Sequence, residues 1–165
     1  MPRDLRMSRI LHVLIHLDRH VPLATSDEIS RMISTNPVVV RRMMAGLRDR
    51  GIVASEKGHG GGWQLARSLA DVTLRDVYEA VGAPPLFNIG SGAEPAECLV
   101  ERAVDARLDT SLREAEARLL EQFTRVTVED VARDFERDAA DRGLGSECAE
   151  SISHHEEPIV NHRQA

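Results

Sequence analysis

Residues 36–67, NPVVVRRMMAGLRDRGIVASEKGHGGGWQLAR, confine this chain to few folds. Asn36-Pro37 opens a helix. Asparagine accepts from the first free amides, and proline fits the first helical position, where a missing N–H costs nothing. Val40, Met43, Met44 and Leu47 then recur as one inward face through about Arg50. Gly51 is the expected stop, because glycine readily adopts the left-handed conformation that ends helices. Ile52–Glu56 and Trp63–Ala66 alternate as short strands. Gly58, Gly60, Gly61 and Gly62 between them permit a tight hairpin. The helix leaves Val38, Val39, Arg41, Arg42, Gly46 and Arg48 on its other faces, and the hairpin tip carries Lys57 and His59.

The neighbouring segments extend the pattern. Met7, Ile10, Leu11, Leu14, Ile15 and Leu17 predict a first helix over about 7–19, closed by Pro22. Thr25-Ser-Asp-Glu28 is a capping box that opens a second helix over about 26–33, with Ile29, Met32 and Ile33 inward. Thr73-Leu-Arg-Asp76 caps a fourth helix over 74–81, and Gly82, Pro84 and Pro85 end it. A loop is expected over 83–95. Beyond it, Leu99, Val104, Leu108, Leu112, Leu119 and Phe123 mark a long helix from about Ala96 to Arg125. About 30 residues of helix span about 45 Å, more than so small a domain can cover, so the stripe predicts burial against a second copy. Thr127-Val-Glu-Asp130 caps a short helix ending near Phe135, and residues 136–165 read as a polar, mobile tail.

Helix, helix, capped helix and basic hairpin in that order make a mainly α, winged helix-turn-helix unit over 1–82, followed by a dimerisation region over 96–135. The net charge of −6 argues against a polyanion partner only until it is divided. Residues 1–67 hold 11 Lys and Arg against 6 Asp and Glu, whereas the remainder holds 10 against 21. A basic front with an acidic rear suits one face docking on double-stranded DNA. Chance asymmetry between halves is the plainer alternative.

In that geometry the third helix enters the major groove. Asn36, Val38, Val39, Arg41, Arg42 and Arg48 are then the candidate base and backbone readers. Arginine to guanine is the commonest specific pairing, and valine suits a thymine methyl. A merely solvated arginine face is the competing reading. Thr25 and Ser26 open the second helix where amides and hydroxyls can hold phosphate. Lys57, His59, Gly60 and Gly61 of the hairpin are placed to follow the backbone or minor groove. Trp63 reads as the hairpin's anchor in the core.

The stretch GIVASEKGHGGGWQLAR at 51–67, joined to VTLRDVYEAV at 72–81, resembles the Rrf2 family of bacterial transcription regulators. The likeness covers about residues 7–135. Its specific part is the pairing of the glycine-rich wing with the T-L-x-D-V-Y-x-A-V helix. The resemblance implies a homodimer with a winged helix-turn-helix at each end, a long helix crossing to the partner, and a two-fold DNA site. Many relatives hold an iron–sulfur cluster with three cysteines between the fourth helix and the long one. Here residues 86–110 contain Cys98 alone, and the other cysteine, Cys148, is in the tail. Cluster irons need several thiolates, so the chain is placed with the cluster-free branch, and no cofactor or metal is expected.

Cys98 carries two readings. At the start of a helix the dipole favours thiolate, which suits a redox or electrophile sensor. A free cysteine is also an ordinary small apolar residue. Cys148, His154, His155 and His162 could gather a soft metal in the tail, though incidental histidines in a polar tail are the commoner case. No P-loop, GxSxG or HExxH is present, and no apolar run approaches the ~20 residues of a membrane span. The reading is a cytoplasmic, non-enzymatic repressor whose effector is unassigned. The alternatives are a protein-interaction module on the same scaffold, or a metal- or cluster-bearing sensor.

Overall fold

A computed structural model describes residues 4–58, 60–87 and 98–142. Six α-helices, one 3-10 turn and two short strands follow in the order α1 (Arg6–Arg19), α2 (Ser26–Met32), α3 (Pro37–Asp49), β1 (Val53–Ser55), β2 (Trp63–Leu65), the turn Leu69–Asp71, α4 (Leu74–Ala80), α5 (Leu99–Arg125) and α6 (Val128–Asp141). The predicted fold class holds, a mainly helical winged helix with a two-stranded antiparallel wing.

The caps act as the sequence dictates. Thr25, Thr73 and Thr127 each accept from the third amide of their helix, while Glu28, Asp76 and Asp130 reach back to the cap amide. Asn36 Oδ1 accepts from Val38 N at 2.8 Å, with Pro37 in the first turn of α3. Gly51 takes φ 67° just after the cap residue Arg50.

One core joins these elements. Ile10, Val13, Leu14 and Leu17 of α1, Ile29 and Ile33 around α2, and Val40, Met43, Met44 and Leu47 of α3 are buried together with Ile52, Val53 and Trp63 of the wing base. Val13 was absent from the predicted α1 stripe; it lies on the same buried side as Leu17. The start of α6 is pinned to the start of α4 by backbone bonds, Leu74 N to Val126 O at 2.9 Å and Val128 N to Val72 O at 2.8 Å. That clamp buries Val128 and Ala132 in the same core. Arg19 of α1 completes the contact by pairing with Glu129 at 3.0 Å and Glu136 at 2.8 Å.

Two expectations change. The long helix α5 begins at Leu99; Ala96 and Glu97 lie outside the described residues. The last helix does not stop near Phe135 but runs to Asp141, into the segment expected to be tail. Side-chain pairs one turn apart, Arg137 with Asp134 and Arg142 with Asp138, support it, and Ala139 and Ala140 favour helix. The 3-10 turn at Leu69–Asp71, which buries Leu69, was not anticipated.

Candidate nucleic-acid interface

The outward side of α3 is set by what its inward side buries. With Val40, Met43, Met44 and Leu47 in the core, Val38, Val39, Arg41, Arg42 and Arg48 are exposed. Val38 is 65% exposed and Val39 41%, so two apolar side chains stand at the surface beside the arginines. Arg41 and Arg42 form no ion pair among the described residues, whereas Arg48 is held by Asp49 at 2.9 Å. The two arginines therefore keep their full donor sets for an incoming acceptor. Asn36 is exposed, but its side-chain oxygen is engaged in the cap.

The wing is fixed to α2 rather than hanging free. Ser55 pairs with Trp63 and Val53 with Leu65. On its other edge Trp63 exchanges backbone bonds with Ala24, at 3.0 and 2.8 Å. The Trp63 indole is 8% exposed and donates to Ser26 Oγ at 3.0 Å. Ala24 and Gly62 run so close that a Cβ on Gly62 would sit 2.7 Å from the Ala24 carbonyl oxygen. The wing base and the start of α2 are thus held together as one frame. The Trp63–Ser26 bond has no signature in the local sequence, because its partners are far apart along the chain. It also occupies the Ser26 hydroxyl, one of the groups expected to meet phosphate.

The remaining predicted contacts surround that frame. Thr25 is half-buried in its capping box, and the Thr25 amide holds the Glu28 carboxyl below its ordinary pKa. Lys57 and Gly60 are exposed at the wing tip, and Gly61 turns against the Glu56 carbonyl. His59 lies outside the described residues. Gln64 donates to Glu56 at 2.9 Å across the wing. The surface is therefore an arginine-bearing helix face beside a lysine-tipped hairpin.

At the far end, no residue of α5 is buried. Leu99, Val100, Val104 and Leu108 are exposed along its first half and line an open apolar groove of about 550 Å³ with Ala103 and Arg107. Leu112, Leu119 and Phe123 are half-buried, and the Phe123 ring meets Tyr78 of α4 edge-on, 6.2 Å between centroids. Cys98 caps α5 and is exposed. The backbone amides of Glu101 and then Val100 lower its thiol pKa, although Sγ makes no capping hydrogen bond. The other proposed soft-metal ligands, Cys148, His154, His155 and His162, lie outside the described residues.

Residues 4–134 match the Rrf2 family model, described as "Iron-dependent Transcriptional regulator". The chain is 30% identical over 129 residues to the "Putative HTH-type transcriptional regulator YwnA" of Bacillus subtilis, covering 76% of this chain and 93% of that one. It also resembles a crystal structure of "a putative DNA binding protein" at 27% identity and TM-score 0.58, over 76% of this chain and 97% of the other. CymR (YrzC), the global cysteine regulator of Bacillus subtilis, shares the fold at 18% identity and TM-score 0.54, over 81% and 97%. The family description names iron, which requires suitable donors in the chain. Two cysteines in all, one of them alone on an exposed helix cap, do not supply the thiolates a cluster needs. Among the described residues no group of three His, Cys, Asp or Glu could hold a metal. The residues do not fit an iron–sulfur cluster.

Proposed function

Because the chain belongs to the Rrf2 family of transcriptional regulators, we propose that it works as a homodimeric repressor on a two-fold operator in the cytoplasm. It is a DNA-binding transcription regulator and not an enzyme. No helix among the described residues is long and apolar enough to cross a membrane. The observation that carries the DNA reading is the outward face of α3. Among the described residues, Arg41 and Arg42 stand without ion pairs beside exposed Val38 and Val39. Phosphate neutralisation sets affinity, and α3 side chains set sequence preference. The exposed apolar groove on α5 supports the dimer, which would place two α3 helices about one turn of DNA apart, roughly 34–36 Å.

The test begins with an operator recovered by genome-wide footprinting and a titration at fixed salt. Arg41→Ala with Arg42→Ala should abolish preference for the operator over random duplex, since each bidentate contact discriminates by about 1–3 kcal/mol. The dimer should persist on a sizing column. Unchanged operator affinity would sink the assignment.

The switch is read at Cys98. Its exposure and lowered pKa support a thiol that reacts with peroxide or an electrophile and so releases DNA. A Cys98→Ser protein that still lets go of DNA under peroxide rules this out.

A further inference from the structure

The outward residues of α3 do not share one position around the helix. At about 100° per residue, Val38, Arg42, Ala45 and Asp49 fall opposite the buried set of Val40, Met43, Met44 and Leu47. Arg41 and Arg48 fall on one flank, and Val39 and Gly46 on the other. Two observations agree with this register. Val38 is 65% exposed against 41% for Val39. A Cβ on Gly46 would overlap the Ala80 carbonyl oxygen, so the Val39 flank is the one turned to α4. The crown of α3 therefore carries Val38, Arg42 and Ala45, and Arg41 stands beside that crown rather than on it. Hydrogen-bonding capacity on the crown is one-sided. Arg42 only donates, and Val38 and Ala45 offer methyls. The carboxylate of α3, Asp49, is held by Arg48 at 2.9 Å in the last turn. Asn36 Oδ1 is turned back onto Val38 N.

We infer that the two arginines have different tasks: Arg42 reads a guanine and Arg41 holds a phosphate, while the methyls of Val38 and Ala45 meet thymine. This rests on α3 being the helix that enters the major groove. Guanine shows two acceptors, O6 and N7, to the guanidinium fork, and thymine shows a methyl beside one acceptor. Cytosine N4 and adenine N6 are donors that need an acceptor, and the crown keeps none free. Val38 and Arg42 are four residues, about 6 Å, apart along the axis, which matches about two base-pair steps of ~3.4 Å. The core of each half-site is thus a guanine with a thymine about two base pairs away on the Val38 side. Arg41, on the flank, lies toward the groove wall, where phosphates give affinity without sequence.

Full-length protein and duplexes with a randomised centre provide the test, with the bound fraction sequenced and affinities titrated across salt. The wild type should enrich a guanine with a thymine about two base pairs away. Arg42→Lys keeps the charge and loses the fork, so preference for that guanine should fall about fivefold or more while the salt slope holds. Arg41→Lys should select as the wild type does. Arg41→Ala should keep the wild-type sequence, weaken every duplex alike and lower the salt slope by about one. Uracil in place of the selected thymine removes its methyl and should weaken the wild type about fourfold, but not Val38→Ser. The assignment is overturned if Arg42→Lys enriches the same guanine as strongly as the wild type. It is equally overturned if Arg41→Ala changes the selected sequence while Arg42→Ala only weakens binding, or if the uracil duplex binds the wild type as tightly as the thymine one. A wild type that enriches nothing and binds duplex DNA without salt dependence overturns the major-groove reading itself, and the division of tasks with it.

Discussion

Helices α3 and α5 obey opposite rules within one chain. α3, 13 residues long, buries Val40, Met43, Met44 and Leu47 against its own domain and sends its polar side out. α5 has 27 residues and buries none, while Leu99, Val100, Val104 and Leu108 face solvent. An amphipathic helix normally hides its apolar stripe. A helix that hides its stripe within the chain is finished by folding, whereas one that exposes it is finished by a partner. The difference separates a head whose core is complete within the chain from a long helix whose apolar stripe stays open, the surface on which the proposed dimer rests.

The largest expected effect tests that separation directly. Val104→Asp with Leu108→Asp should convert the dimer to monomer in sedimentation, since carboxylates on a buried apolar seam lose their water without gaining partners. Coupling two half-sites is worth about 10²–10⁴ in avidity, so operator affinity should fall by at least a hundredfold. Helical content and the cooperative unfolding of the head should survive. A variant that stays dimeric, or one that unfolds outright, would erase the distinction.

A smaller effect probes the joint between the two regions. α3 meets α4 at Gly46, where a Cβ would overlap the carbonyl oxygen of Ala80. Arg50, at the end of α3, also pairs with Glu79 of α4 at 2.8 Å. α4 in turn carries Tyr78, whose ring meets Phe123 of α5 and whose hydroxyl donates to the Pro84 carbonyl at 2.9 Å. α4 thus touches both regions. Alanine is intrinsically the better helix residue by about 0.8–1.0 kcal/mol, so at an open site Gly46→Ala would stabilise. Overpacking costs about 1–3 kcal/mol, and here the obstacle is backbone, which cannot rotate aside. Net destabilisation by denaturant unfolding is expected, with weakened operator binding as α3 is displaced. A gain in stability would mean the helices separate freely.

What could be foreseen follows the same divide. The caps at Thr25, Asn36, Thr73 and Thr127 act over two or three residues, and the inward face of α3 repeats over three or four, so both are written locally. Gly46 was placed merely on another face of α3, because the Ala80 carbonyl it meets lies far along the chain. The Trp63–Ser26 bond and the clamp of Leu74 and Val128 on Val126 and Val72 share that long-range character. The exposure of Arg41 and Arg42 was legible from periodicity, but their lack of ion pairs was not. The run of His12, His16 and His20 on α1 was visible as letters, yet its chemistry depends on ring spacing and on one buried nitrogen, His16 Nδ1.

The smallest effect concerns the head alone and uses that buried ring. Burial first, and then the charges of His12 and His20, depress the His16 pKa to about 4. The same group in the unfolded chain titrates near its ordinary value of about 6.5. A base whose folded pKa is depressed binds protons better when unfolded, so acid favours unfolding. Its contribution is whole above about pH 6.5 and is lost progressively as the pH falls toward 4. The loss between pH 7 and 6 should be on the order of 0.5 kcal/mol. Acidic caps such as Asp76 also weaken in acid, but their pKa is lowered, so they act below this window. Denaturant midpoints for the wild type and His16→Gln should therefore diverge in slope between pH 7 and 5, and parallel slopes would dismiss the buried imidazole as the cause. α5 carries no histidine, so the proposed dimer should hold over the same interval while the head softens.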